Sequence, residues 1–288
     1  MKIICKYIAL SVFLAVTASH AQCLTDIQVE DYVDKYFSKM VAPNPPAFSE
    51  EDGACTRAKV NVFLSKRIGK VIGYKAGLTN PAVQKRFNYD KPVWGILYEG
   101  MVLANGAIVD ANFGAKPLYE ADMLVRVKSV DVNKATTPIE VMESIDQIIP
   151  LIELPDLMVE TIPKLNGPGV AAINVGARLG VAGTPMTVPV TRAERYAMLD
   201  ALRDMNVVVK DATGARLGGG KGSDILEHPF NAVVWLAQAL AKEGLAMQVG
   251  QIISLGSFSS LLPPKPGLTA TVSYEGLTGV MPVSVTFK

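Results

Sequence analysis

Pro117-Leu118-Tyr119-Glu120-Ala121-Asp122-Met123-Leu124-Val125 is the segment of this 288-residue sequence from which the fold is most readily inferred. Apolar side chains recur at alternate positions from Ala121 to Val127, which is typical of a β-strand with one buried face. Successive side chains on a strand point to opposite faces, so Glu120 and Asp122 share the other face and lie side by side. Two carboxylates this close repel each other unless a positive charge neutralises them.

A hard divalent cation is one way to neutralise this acid pair, because Mg²⁺, Ca²⁺ and Mn²⁺ prefer oxygen ligands. Arg126 and Lys128 follow on the same side of the strand and give a second explanation, in which the acids form ion pairs on a solvated face. The spacing alone leaves both explanations open.

A third carboxylate lies within an apolar segment, Leu151-Ile152-Glu153-Leu154, which has the pattern of a buried strand. An acid inside such a segment is costly unless it is paired or coordinates a metal. Glu153 is therefore the natural third ligand of a cation site. A salt bridge to a lysine or arginine is the alternative.

The composition is that of an ordinary globular protein, with 49% hydrophobic and 19% charged residues and a formal net charge of +1. The sequence has no cluster of lysines and arginines interleaved with aromatic residues, so nucleic acid is not an expected partner.

The first residues have the features of a secretory signal peptide. Lys2 and Lys6 precede an apolar run over 7–18, and Ala21 is a small residue at the expected cleavage site. We expect cleavage after Ala21 and a periplasmic or secreted protein. An uncleaved anchor is the alternative, but the run is short for a membrane span. A lipoprotein attached at Cys23 is less favoured. No later stretch has the pattern of a membrane span.

Cleavage would leave Cys23 and Cys55 as an even pair in an exported protein, where disulfides persist. We therefore expect a disulfide between them. His228 would be the single remaining histidine, which excludes a mechanism that needs two imidazoles.

Helices and strands alternate irregularly along the chain. Capping signals and helical periodicity predict helices over 25–40, 49–67, 137–149, 191–205 and 231–242, with a short one beginning at Asn80. Strands are expected over 70–78, 94–103, 107–109, 121–127, 151–155, 206–210 and in the C-terminal region after 250. Asn105-Gly106 predicts a hairpin turn. Together these elements predict an α+β fold with a mixed, rolled β-sheet rather than a doubly wound one.

Three other polar residues are candidates for a site. Lys75 stands between small residues at the end of a strand, where it would bind a substrate carboxylate or move a proton; an ordinary surface lysine is the alternative. Asn174 is the one internal amide of the Gly-, Ala- and Val-rich segment 166–183, whose small residues let the backbone approach a ligand. Lys221 belongs to 217–223, interpreted as a flexible basic loop that favours an anion but lacks the residue order of a P-loop.

Seven short segments, taken in their order along the chain, resemble the fumarylacetoacetate hydrolase superfamily on its 2-keto-4-pentenoate hydratase branch. The resemblance covers about Gly73 to Phe287. The segments are Gly73-Tyr74-Lys75-Ala76-Gly77-Leu78-Thr79, Trp94-Gly95-Ile96-Leu97, Glu120-Ala121-Asp122, Leu151-Ile152-Glu153, Gly220-Lys221-Gly222-Ser223, His228-Pro229-Phe230-Asn231-Ala232 with Trp235-Leu236-Ala237, and Gly250-Gln251-Ile252-Ile253.

After the predicted signal peptide over 1–21, the resemblance implies an N-terminal helical region over 22–80 and a β-roll catalytic domain over 81–288. It also implies a Mg²⁺ or Mn²⁺ ion held by Glu120, Asp122 and Glu153, which binds the carboxylate and 2-oxo oxygens of a small 2-oxo acid substrate. Homo-oligomers are common in the family, so a homo-oligomer is one expectation.

The activity implied is hydration of 2-hydroxypenta-2,4-dienoate to 4-hydroxy-2-oxopentanoate. Lys75 and Glu99 are the implied catalytic residues. The residues expected to contact the substrate are Asn174, Lys221 and Ser257.

The sequence departs from the hydratases at three positions where they carry polar groups, namely Gly100, Gly176 and Leu255. These departures keep two alternatives open. One is a 2-oxo acid decarboxylase or enol-keto tautomerase of the same fold, which needs no placed water molecule. The other is an exported binding protein without turnover.

Overall fold

The computed structural model describes residues 23–288, which form seven α-helices and thirteen β-strands. The helices are α1 (Asp26–Ser38), α2 (Glu50–Ile68), α3 (Pro81–Arg86), α4 (Pro138–Ser144), α5 (Gly167–Ala172), α6 (Arg192–Asp204) and α7 (Asn231–Lys242).

The strands belong to two mixed sheets. They are β1 (Val71–Gly77), β2 (Val93–Tyr98), β3 (Val102–Ala104), β4 (Ile108–Val109), β5 (Glu120–Val127), β6 (Ile145–Leu154), β7 (Leu179–Ala182), β8 (Met186–Thr187), β9 (Asn206–Asp211), β10 (Arg216–Lys221), β11 (Ile252–Ser254), β12 (Thr269–Glu275) and β13 (Val283–Phe287). The first sheet has the order β2-β1-β11-β5-β6-β7-β3, with β8 also paired to β6. The second has the order β10-β9-β12-β13-β4. This architecture confirms the expected α+β fold with mixed sheets.

The two faces of β5 are buried against different layers. Met123 and Val125 point into a core shared with the second sheet, where they join Val207 and Val272. Leu124, on the opposite face, joins a second core formed with α1, α2 and α5. Strand alternation therefore places Glu120 and Asp122, which share the face of Leu124, between the first sheet and the helical layer.

Both N-terminal helices begin with capping boxes, of which the sequence predicts the one at Thr25. The side chains of Thr25 and Ser49 accept hydrogen bonds from the third residue of α1 and α2, respectively. The predicted disulfide is confirmed, because Cys23 and Cys55 are bonded and attach the start of the chain to α2. The predicted signal peptide lies outside the described residues. No helix within 23–288 is long and apolar enough to cross a membrane.

The predicted hairpin at Asn105-Gly106 is wrong. The turn forms, but β3 pairs with β7 in the first sheet, whereas β4 pairs with β13 in the second. β3 and β4 do not pair with each other because the turn between them forms hydrogen bonds to β13. The side-chain oxygen of Asn105 accepts the Ser284 N–H at 2.9 Å, and the Gly106 N–H donates to the Ser284 carbonyl at 2.9 Å. The segment thus carries the chain from one sheet to the other.

Two other local predictions are wrong. The helix expected over 137–149 ends at Ser144. The isoleucines that follow favour extended backbone and belong to β6, whose pairing with β5 continues past Pro150. The segment 217–223 is largely the strand β10, paired with β9, rather than a flexible loop. Its glycines allow close packing, since a Cβ at Gly220 would lie 2.1 Å from the Phe258 carbonyl oxygen.

His228, the single histidine among residues 23–288, is buried and has a structural environment. Its Nδ1 accepts the Phe230 N–H at 3.1 Å, and its Nε2 lies 3.1 Å from the Leu199 carbonyl oxygen, to which it donates. Burial lowers the pKa of this imidazole, so the neutral form is favoured. Both ring nitrogens are used within the fold, which agrees with a structural role at the start of α7.

Candidate active site

Three carboxylates from β5 and β6 are buried on one face of the first sheet. Glu120 lies directly opposite Glu153 in the antiparallel pairing, and Asp122 is two residues further along β5 on the same face. Glu120 is 7% exposed, Asp122 0% and Glu153 4%. Strand pairing thus brings Glu153 next to two acids that lie more than thirty positions earlier in the sequence.

Lys75 on β1 provides the positive charge next to these acids. Its ammonium group forms an ion pair with Glu153 and donates a hydrogen bond to the Val175 carbonyl at 3.1 Å. The residue is 2% exposed. Burial lowers the pKa of Lys75 to about 8, although the charges of Glu120 and Asp122 act to raise it. Lys75 is therefore a buried group whose pKa lies close to neutral pH.

The turn that presents the Val175 carbonyl has a strained backbone. Asn174, Val175 and Gly176 have φ angles of 53°, 55° and 62°, and such values are rare for a β-branched residue such as Val175. The Asn174 side chain fixes this turn to β2, because it accepts the Ile96 N–H at 2.8 Å and donates to the Ile96 carbonyl at 3.0 Å. Strain of this kind is concentrated at functional sites.

Protein donors hold the Asp122 carboxylate on both sides. Oδ1 accepts the N–H groups of Met123 at 2.6 Å and Gly256 at 3.0 Å, and Oδ2 accepts the Ser254 hydroxyl at 2.5 Å. Burial raises the pKa of Asp122 to about 6, and these hydrogen bonds act in the opposite direction.

Glu120 differs from Asp122 because few groups compensate its burial. Desolvation raises the pKa of this carboxyl to about 7, whereas the charge of Lys75 lowers it. Ser257 is buried beside Glu120, and its hydroxyl donates to the Ser259 carbonyl at 2.5 Å.

The charges and donor atoms of this cluster fit a divalent cation. If all three carboxyls are ionised they carry a charge of −3, Lys75 offsets +1, and the remaining −2 is what a divalent cation would neutralise in this buried place. The donors are all carboxylate oxygens, which hard divalent ions prefer. Even so, no group of three His, Cys, Asp or Glu side chains within 23–288 is arranged to hold a metal ion. Asp122 faces Ser254 and Gly256, and Glu153 faces Lys75, so ion binding requires these side chains to reorient.

A narrow cleft of about 40 Å³ leads to Lys75 and Glu120. Its polar lining comes from these two residues with Thr79, Asn80 and Ser257. Its remaining wall is apolar and consists of Leu78, Val83, Phe87, Pro155, Leu157, Val170, Val175 and Leu261. This volume holds only a few water molecules, so a small organic acid enters only if side chains of the wall move.

Three of the residues expected at the site lie elsewhere. Glu99 is exposed in a 3₁₀ turn four residues beyond Gly95, the position on β2 that pairs with Lys75. Lys221 is exposed at the end of β10 in the second sheet. Asn174 is buried but is bonded to β2 and does not line the cleft. The structure thus brings together Lys75, the three acids and Ser257, and leaves these three outside.

Two residues of the site were not identified from the sequence. Ser254, which binds Asp122, pairs with Lys75 across β1 and β11, a register that the sequence does not reveal. Thr79 lines the cleft four residues after Lys75. It ends the segment Gly73-Tyr74-Lys75-Ala76-Gly77-Leu78-Thr79, which was a signal, but Lys75 was the only residue of that segment expected at the site.

Comparison with known proteins gives relatives over most of the chain. A 4-oxalocrotonate decarboxylase of Pseudomonas putida is 29% identical over 237 residues, covering 82% of this chain and 85% of the relative. A 2-keto-4-pentenoate hydratase of Dechloromonas aromatica strain RCB is 27% identical over 236 residues, covering 81% and 86%. No family model matches the chain.

Solved structures share the fold. The 4-oxalocrotonate decarboxylase from Pseudomonas putida G7, complexed with magnesium and adipate, aligns with a TM-score of 0.78 at 23% identity, covering 91% of this chain and 97% of that one. A putative fumarylacetoacetate hydrolase family protein from Yersinia pestis CO92 aligns with a TM-score of 0.53 at 12% identity, covering 75% and 92%. At these identities the structures establish the fold alone.

The acid cluster predicts that Mg²⁺ or Mn²⁺ stabilises the protein through Glu120. At a hundredfold excess over the dissociation constant, the ion would add about 2.7 kcal/mol to the free energy of unfolding. We expect a rise in melting temperature for the wild type and a much smaller rise for Glu120→Gln, measured by differential scanning fluorimetry with and without the ion.

Glu99→Gln is the matched control, because it removes an exposed carboxylate outside the cleft and should leave the metal-dependent shift unchanged. Equal shifts for the wild type and Glu120→Gln, or no shift for the wild type, would contradict a metal site at these acids.

Proposed function

We propose that this chain, which has the fumarylacetoacetate hydrolase fold and resembles the 2-keto-4-pentenoate hydratase branch of that superfamily, is a divalent-metal-dependent hydro-lyase. Its substrate is a small 2-hydroxydienoate such as 2-hydroxypenta-2,4-dienoate. The observation that carries the proposal is the burial of Glu120, Asp122 and Glu153 on one face of the sheet, with Lys75 among them. Curated hydratases of 25–29% identity over most of the chain support it.

The buried acids would hold the cofactor, and Lys75 would act on the substrate. A divalent cation bound by Glu120, Asp122 and Glu153 would supply positive charge to the carboxylate and C2 oxygens of the substrate. The pKa of Lys75, lowered by burial to about 8, suits a group that exchanges protons near neutral pH. Lys75 would therefore carry the proton that leaves the C2 hydroxyl as the dienol becomes a ketone.

The wall of the cleft supports a substrate with a short hydrocarbon tail. Leu78, Val83, Phe87 and Leu261 give it an apolar surface. Within the described residues, Lys75 is the only lysine or arginine that lines this cleft. Because an unpaired carboxylate is costly to bury against apolar side chains, a tail without a second charge fits best.

A decarboxylase acting on a 2-oxo acid is the second candidate. The observation in its favour is that Glu99, one of the two expected catalytic residues, is exposed and outside the cleft. Decarboxylation and tautomerisation use the same stabilised enolate without a placed water molecule. The decarboxylases at 29% identity are consistent with this candidate.

We also propose that the protein acts in the periplasm or outside the cell. The disulfide between Cys23 and Cys55 supports this location, because such bonds persist in oxidising compartments. The predicted signal peptide over 1–21 supports it from the sequence.

Turnover tests the proposed activity. We expect the dienoate absorbance of 2-hydroxypenta-2,4-dienoate to fall only when Mg²⁺ or Mn²⁺ is present, with 4-hydroxy-2-oxopentanoate as the product identified by NMR. Lys75→Met should lower kcat by about 10²-fold or more, because the proton-transfer group is lost. Lys70→Met, which removes an exposed lysine before β1, is the control and should leave kcat unchanged.

The reaction product distinguishes the hydratase from the decarboxylase and from a binding protein. Release of CO₂ from a 2-oxo acid without formation of the hydroxy acid would favour the decarboxylase. Absence of turnover with retained metal binding would favour a binding protein and reject the enzyme.

The N-terminus of the mature protein tests the proposed location. Intact mass and N-terminal sequencing of the chain purified from the periplasm should give Gln22 as the first residue. A soluble cytoplasmic protein that retains Met1 would contradict export.

A further inference from the structure

Thr79 has a buried hydroxyl without a partner in the protein. Within residues 23–288, its Oγ1 is the only buried side-chain nitrogen or oxygen that makes no hydrogen bond. The residue is 1% exposed. Buried polar groups are nearly always paired, and an unpaired one lowers stability, so each exception calls for a physical explanation.

Thr79 is one of the residues that line the cleft with Lys75 and Glu120. It also lies beside Gly256, because a Cβ built on that glycine would be 2.1 Å from the Thr79 Oγ1 atom. The N–H of Gly256 binds Asp122 at 3.0 Å. Thr79 is therefore next to the groups that surround the carboxylates, although it bonds to none of them.

The backbone on both sides holds Thr79 in place. Leu78 has a φ of 53°, and its carbonyl accepts the side-chain amide of Gln84 at 2.8 Å. The Thr79 carbonyl accepts the N–H of Leu226, a residue with a φ of 47°, at 3.2 Å. Leu78 and Leu226, both with left-handed backbone, thus fix the position of Thr79, although the Thr79 hydroxyl makes no hydrogen bond. Such strain is retained where the surrounding structure or a ligand compensates for it.

We propose that Thr79 is a substrate-binding residue whose hydroxyl donates a hydrogen bond to an anionic oxygen of a 2-oxo acid. The inference rests on the proposed function, because it places the substrate in the same cleft. A carboxylate or enolate oxygen is the fitting acceptor, since the chain's own acids leave this donor unused and Lys75 lies in the same cleft. Thr79 thereby acts together with Lys75 in orienting the acid group of the substrate.

The test compares Thr79→Val, which keeps the shape and removes the hydroxyl, with Thr79→Ser, which keeps the hydroxyl. Without substrate or metal, Thr79→Val should melt at the same temperature as the wild type or higher, because an unpaired polar group is removed. Its KM for the dienoate should rise about tenfold, the effect of losing one hydrogen bond to a charged group. Thr79→Ser should restore KM to nearly the wild-type value.

Thr56→Val is the matched control. Thr56 is equally buried, but its hydroxyl accepts the Leu24 N–H at 3.2 Å, so this variant should melt lower than the wild type and keep KM unchanged. If Thr79→Val also melts lower and keeps its KM, the hydroxyl has a structural role, for example through a buried water molecule, and the proposal is overturned.

A binding measurement separates this inference from the proposed activity. If the wild type turns over no dienoate, the proposed activity is rejected. Calorimetric titration of pyruvate into the Mg²⁺-treated protein then tests whether Thr79 binds a 2-oxo acid. Pyruvate has the 2-oxo acid group without a tail. Binding about tenfold weaker in Thr79→Val than in the wild type supports the inference. Equal binding in the two proteins, or no binding by the wild type, overturns it.

Discussion

Three carboxylates and one lysine are confined in the layer between the first sheet and the N-terminal helices, and the rest of the site is arranged around their charges. The ion pair of Lys75 and Glu153 balances one negative charge, and donors from Met123, Ser254 and Gly256 stabilise Asp122. Glu120 receives the least compensation, and its pKa is raised to about 7. Once its carboxyls are ionised, this buried cluster carries an excess of negative charge, which a divalent cation would neutralise.

The apolar packing of β5 fixes its register with β6 and therefore the positions of the acids on it. Ala121, Met123 and Val125 are fully buried against the second sheet. A shift of one residue in the pairing of β5 with β6 would exchange the two faces, bury the acids in that core and expose the apolar side chains to the polar cluster. The apolar alternation that forms the fold is therefore the same constraint that positions the acids, which explains why one short segment is informative about both.

Much of the fold and the centre of the site follow from local patterns in the sequence. Alternation predicts β5, a capping box predicts α1, and an acid within an apolar strand identifies Glu153. What local patterns do not contain is pairing between distant strands. The partners of β3, β4 and β10 were therefore wrong or missing, and the positions of Glu99 and Lys221 outside the cleft were not foreseen. Ser254 was missed because it contributes to the site only through the register of β11 with β1 and β5.

The central claim is that Glu120, Asp122 and Glu153 share one divalent cation, with Lys75 released from Glu153 to act on the substrate. Anomalous X-ray diffraction from crystals grown with Mn²⁺ tests it most directly. The account predicts a single strong manganese peak within coordination distance of an oxygen from each of the three carboxylates, with the Lys75 ammonium no longer paired with Glu153. The absence of a peak at these acids, or a peak there with the Lys75–Glu153 ion pair intact and only one or two of the acids as ligands, would contradict it.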